Sequence, residues 1–138
     1  MPLMFVYGTL KRGERLNPYY FGDSALATFI APVSTDEAIY EMRTVPYGGF
    51  PYVIHTRDIV DQDGEVVGSS IAGEVWSVHE RVFNVLQAME EAVGYHAEQI
   101  NIGRKYVASI FVLDHDVNGH TQEHISIYEN TKYWSTQG

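Results

Sequence analysis

Two adjacent glutamates close the stretch "FNVLQAMEEAVGY" (83–95), and helix geometry separates them. Val82, Phe83, Leu86 and Met89 recur at helical spacing, which predicts a helix over 79–92 with one apolar face and Gly94 as its stop. Neighbours three and four apart share a face, so Glu90 stands over Phe83 and Leu86. Glu91 instead joins Glu80, Asn84 and Gln87 on the polar side. A carboxyl on an apolar margin loses water and sits where the helix dipole disfavours negative charge. Both effects raise its pKa toward the range of a general acid and base at neutral pH. The alternative is a glutamate at the stripe's edge that reaches out into solvent.

A second stretch, "FVYGTLKRG" (5–13), puts a glycine, hydroxyls and cations directly after the first apolar run. Gly8 and Gly13 are separated by four residues, as in a P-loop, but Glu14 and Arg15 follow where Lys and Ser/Thr are needed. Gly8 permits close backbone approach, and successive N–H groups of such a turn can cradle a carboxylate or oxyanion. Taken locally, an ordinary strand-end turn with solvated cations is the simpler reading.

Other candidates carry weaker patterns. Glu74 in "AGEVW" shares a strand face with Ala72 and Trp76, and is expected to point outward into water. His115, Asp116, His120, Glu123 and His124 cluster, but the order "HTQEH" is not a zincin helix, and Asn118-Gly119 predicts a hairpin there. No metal site is expected. His55 and His96 are isolated, and no Gly-x-Ser-x-Gly elbow exists.

The elements that must position these residues are mostly strands. They are expected at 3–7, 25–30, 37–42, 51–55, 70–78, 99–102, 106–113 and 124–128, with one helix late in the chain. A loop covers 8–17, "VPYGGFP" (45–51) is turn-rich, and "DQDGE" (61–65) carries a hairpin signal. The terminal aromatics of "NTKYWSTQG" are expected to pack down before the end frays. This pattern is α+β, with a curved or closed sheet.

With 138 residues, one domain over 1–138 is expected. Nine Lys and Arg stand against eighteen Asp and Glu, a net charge of −9, which argues against nucleic-acid or anionic-membrane partners. No cysteine is present, so disulfides, thiol nucleophiles and cysteine-held zinc are excluded. No apolar run reaches membrane-spanning length, and the N-terminus lacks the layout of a signal peptide. A cytoplasmic protein is the expectation.

Together the two stretches resemble the γ-glutamylcyclotransferase-like superfamily, in particular its γ-glutamylamine cyclotransferase and AIG2-like branch. The resemblance rests on Tyr7-Gly8-Thr9-Leu10, Gly73-Glu74-Val75-Trp76, Leu86-Gln87-Ala88-Met89-Glu90 and Tyr95, in order, over roughly residues 3–113. It implies a small mixed β-barrel flanked by helices, with Glu90 as acid and base. It implies that the 7–10 loop holds a γ-glutamyl group through backbone N–H groups of Gly8, Thr9 and Leu10, and that Tyr7, Tyr95 and the 47–51 loop with Gly49 close the pocket. No metal or cofactor is implied, and the partner is a small γ-glutamyl compound cyclised to 5-oxoproline. Gln87, Glu91 and Ala97 depart from residues usual in that family. A module that binds an acidic metabolite without turnover, and a related enzyme with a different product, remain alternatives; the oligomeric state stays open.

Overall fold

The computed structural model describes residues 1–47, 49–59 and 67–136; the hairpin signal at 61–65 lies outside them. The chain runs β1 (Leu3–Val6), α1 (Asn17–Phe21), β2 (Ala27–Ser34), β3 (Tyr40–Thr44), β4 (Pro51–His55), β5 (Ser70–Val78), α2 (Glu80–Ala92), β6 (His96–Ile102), β7 (Tyr106–Val112), β8 (Ile125–Tyr128) and β9 (Thr131–Trp134). A 3-10 turn, Thr56–Asp58, follows β4.

β5 is the longest strand and the organiser of a seven-stranded mixed sheet. It pairs antiparallel with β1 and β2 on opposite edges, and its first residues pair parallel with β9. β1 also lies parallel to β7, which carries β6. β3 and β4 form a separate two-stranded ribbon. One bridge, Thr35 to Ile102, brings the ends of β2 and β6 together, so the sheet curls like a barrel without closing into a true one.

β1 shows no alternation in sequence because both of its faces are covered. Met4 and Val6 join one core with Trp76, Val78 and Leu86, while Phe5 joins another with Val75 and Ile110. α2 lays Val82 and Leu86 into the first core. Met89, expected on that face, is 39% exposed, and its sulfur accepts from the Tyr20 hydroxyl instead.

Three departures from the sequence expectations have physical causes. α1 is one short helix, too brief to show periodicity, with Pro18 in its first turn. Asn118-Gly119 does not join β7 to a neighbouring strand, because both edges of β7 are already taken by β6 and β1. Its segment crosses to Thr44, bridged by Thr121. The tight hairpin is β8–β9, turning through Glu129 and Asn130 at φ 47° and 61°.

Gly73 lets β1 approach β5 closely: a Cβ there would sit 2.3 Å from the Val6 carbonyl oxygen and 2.8 Å from the Phe5 ring. Gly73→Ala is therefore expected to cost about 1–3 kcal/mol by overpacking, read as a lower denaturant midpoint at unchanged slope.

Candidate functional site

The end of α2 fixes Glu90. Gly94 adopts φ +101°, a conformation that favours glycine. The Gly94 N–H donates to the Glu91 carbonyl at 3.1 Å and the Tyr95 N–H to the Glu90 carbonyl at 2.9 Å, the paired bonds of a Schellman cap. One motif thus stops the helix and sets the backbone of Tyr95 against that of Glu90. The Glu90 side chain faces a cleft of about 240 Å³.

The opposite wall is the loop that leaves β1. Gly8 packs on the first residue of β4: a Cβ there would lie 2.7 Å from Pro51 Cγ, in a ring that cannot swing aside. The loop turns back through Lys11 N–H to Gly8 O and Leu16 N–H to Thr9 O, and Asn17 Nδ2 donates to the Leu10 carbonyl. Among the described residues, the N–H groups of Gly8, Thr9 and Leu10 donate to no protein acceptor.

Charged residues anchor this loop from outside the cleft. Glu74, expected to point into water, is only 8% exposed. Its carboxylate accepts from Arg12 N–H at 2.9 Å, Arg12 Nε at 3.1 Å and Trp76 Nε1 at 3.1 Å. The Arg12 guanidinium lies over the Phe29 ring, 3.6 Å from its centroid. Lys11 Nζ donates to the Trp134 carbonyl, and buried Glu14 accepts from Thr136 N–H and hydroxyl. Much of the basic cluster of the sequence is therefore structural.

Tyr7, Gly8, Thr9, Leu10, Tyr95 and Glu90 all line the one cleft. Gly49 does not; its neighbours Phe50 and Pro51 do. Phe111, Leu16 and Val93 add apolar surface that sequence reasoning does not select, and Arg15 reaches the rim. The Tyr7 hydroxyl donates to the Phe111 carbonyl at 2.7 Å and the Tyr95 hydroxyl to the Pro51 carbonyl at 3.3 Å. Both phenols thus spend their protons on main chain and offer mainly ring surface. Burial among these groups pushes the Glu90 carboxyl from 4.5 up to about 7. Burial first, and then the charge of neighbouring groups including Glu90, hold Tyr7 and Tyr95 well above the ordinary tyrosine value.

The histidine cluster breaks into local pairs, with His120 Nδ1 3.6 Å from Asp116. Asp116 binds Arg43 and Tyr52, steadying the β3–β4 ribbon behind Pro51; His115 turns to Asp114 and His124 to Glu123. His55 and His96, isolated in sequence, meet at Glu98 (2.7 and 3.2 Å) beside a second cleft. Among the described residues no group of His, Asp or Glu is arranged to hold a metal ion, and no helix is long and apolar enough to cross a membrane.

Comparison with known proteins adds an independent line. Residues 4–135 match the family model described as gamma-glutamyl cyclotransferase, AIG2-like. Gamma-glutamylaminecyclotransferase B of Danio rerio is 28% identical over 138 residues, covering 96% of this chain and 61% of the relative's own length. An AIG2-like protein from Mus musculus superposes with a TM-score of 0.69 at 18% identity, over 100% of this chain and 90% of the other. Part of the Kluyveromyces lactis allophanate hydrolase superposes at 0.64 and 20% identity, over 87% of this chain and 19% of that protein. The last two likenesses concern the fold.

A raised carboxyl pKa makes the folded state hold a proton that the unfolded state releases. Stability is then full below pH 4.5 and is lost as pH rises through about 7. Glu90→Gln should match the parent at pH 4 and exceed it above pH 7 by roughly 2–3 kcal/mol, measured by urea unfolding at both pH values.

Proposed function

Because this chain belongs to the γ-glutamyl cyclotransferase, AIG2-like family, we propose that it cyclises a γ-glutamyl amine or γ-glutamyl peptide to 5-oxoproline and a free amine. The observation that carries this reading is the half-buried Glu90 carboxyl across a small cleft from backbone N–H groups that have no acceptor among the described residues.

Such a substrate contains its own nucleophile. The α-amino nitrogen attacks the γ-amide carbon, a five-membered ring closes, and the bond to the leaving nitrogen breaks. In free solution the chain is extended and the amine protonated. The cleft removes both obstacles. The N–H groups of Gly8 to Leu10 hold the glutamyl carboxylate, so the chain folds back on itself and the reacting atoms meet. Glu90, as carboxylate, takes a proton from the attacking amine and delivers it to the leaving nitrogen. One group performs both transfers because its pKa near 7 leaves each form accessible at neutral pH. The rings of Tyr7 and Tyr95 exclude water around that carboxyl and fill the space beside the substrate's methylenes. No step in this scheme calls on a metal or cofactor.

Purified protein is expected to release 5-oxoproline from at least one member of a γ-glutamyl panel read by mass spectrometry. Glu90→Gln should lower turnover by about 10³-fold. In the parent, kcat/KM should fall as pH drops through about 7, where Glu90 takes up its proton. Retained turnover in the variant would remove Glu90 from the chemistry. A melting temperature raised by a γ-glutamyl compound that survives intact would indicate a binding module.

A further inference from the structure

Among the described residues, two charged side chains line the cleft, Glu90 and Arg15, and the proposed chemistry uses the first. Arg15 is the loop cation that the chemistry leaves unused. Lys11 is committed to the Trp134 carbonyl and Arg12 to Glu74 and Phe29. Arg15 is exposed and makes no hydrogen bond or ion pair with any described residue. Its backbone is nevertheless well placed. Glu14 before it is buried and tied to Thr136, and Leu16 after it donates to the Thr9 carbonyl at 2.9 Å. A fixed main chain thus carries an exposed arginine, with no partner among the described residues, into the lining of a largely apolar cleft, in a protein of net charge −9.

We infer that Arg15 selects substrates whose leaving amine carries a carboxylate, that is, γ-glutamyl amino acids and peptides over γ-glutamyl alkylamines and polyamines. This rests on the cyclotransferase reading. There the glutamyl carboxylate already has its donors in the N–H groups of residues 8–10, so a rim guanidinium is left for an anion on the departing side. Guanidinium suits such an anion, because its planar fork grips a carboxylate through parallel N–H···O bonds and it stays charged at every working pH. The same charge repels a diamine or polyamine tail. Val93 and Phe50, which also line the cleft, offer no polar side chain that would compete for the carboxylate.

The test compares γ-glutamyl-alanine with γ-glutamyl-isopropylamide, which replaces the alanine carboxylate by a methyl group and leaves the γ-glutamyl part intact. The parent is expected to favour the alanine compound by about tenfold in kcat/KM, chiefly through KM. Arg15→Gln should bring the ratio close to one, and Arg15→Lys should restore part of it. A parent ratio near one, or an Arg15→Gln variant that loses both substrates equally, overturns the inference while the cyclotransferase reading stands. The cyclotransferase reading fails only if no member of the wider γ-glutamyl panel yields 5-oxoproline; if these two compounds are not turned over, calorimetry of both on parent and Arg15→Gln decides the selection. Tighter binding of the alanine compound that depends on Arg15 upholds the selection; equal or absent binding ends it.

Discussion

The buried carboxylate of Glu74 is the constraint on which the candidate site depends. It stands on β5 directly opposite Val6, just before the chain leaves β1. Its oxygens take the N–H and Nε of Arg12 and the indole N–H of Trp76. A buried carboxylate cannot be left unpaired. Arg12 is therefore drawn back against the sheet, and residues 8–11 must arch between two fixed ends. That arch leaves the N–H groups of Gly8 to Leu10 without acceptors among the described residues. A regular strand continuation would have consumed them in a ladder.

The sequence makes the helix side of the site legible and the loop side much less so. Glu90 follows from periodicity, because Val82 and Leu86 do lie in the core and Glu90 stands over them. Met89 breaks the same pattern, since the outer margin of α2 meets α1, an element with no visible signal. Glu74 escapes the pattern for a different reason. Alternation along a strand identifies two faces, but it does not say whether a distant residue returns to cover the second one. Arg12 does so from sixty-two positions away. Gly49 fails at finer grain: its loop does reach the cleft, but through Phe50 and Pro51. The strands over 51–55 and 70–78 are readable because turn residues bound them clearly. The partners of those strands are not, since pairing depends on which edges remain free.

The two cleft tyrosines show how a site can be apolar and yet built from polar residues. Each phenol donates inward to a main-chain carbonyl, of Phe111 and Pro51. Those bonds fix the rings and satisfy carbonyls near the cleft. The surface presented to Glu90 is then mostly ring carbon, which withholds solvation from its anion. Polarity is spent on rigidity, and dryness is the result. The acidic loop 114–124 supports this indirectly, since Asp116 holds Tyr52, next to Pro51, by its hydroxyl.

The grip of residues 134–136 on Lys11 and Glu14 also bears on the order of assembly. These contacts join positions more than 120 residues apart. Strand β9, which carries Trp134, pairs with the beginning of β5 and seats the tryptophan in the core. On a ribosome, the first loop is therefore synthesised long before its clasp exists. The cleft can be completed only when residues 134–136 have left the exit tunnel, which makes its assembly a late event in a fold held mostly by long-range contacts.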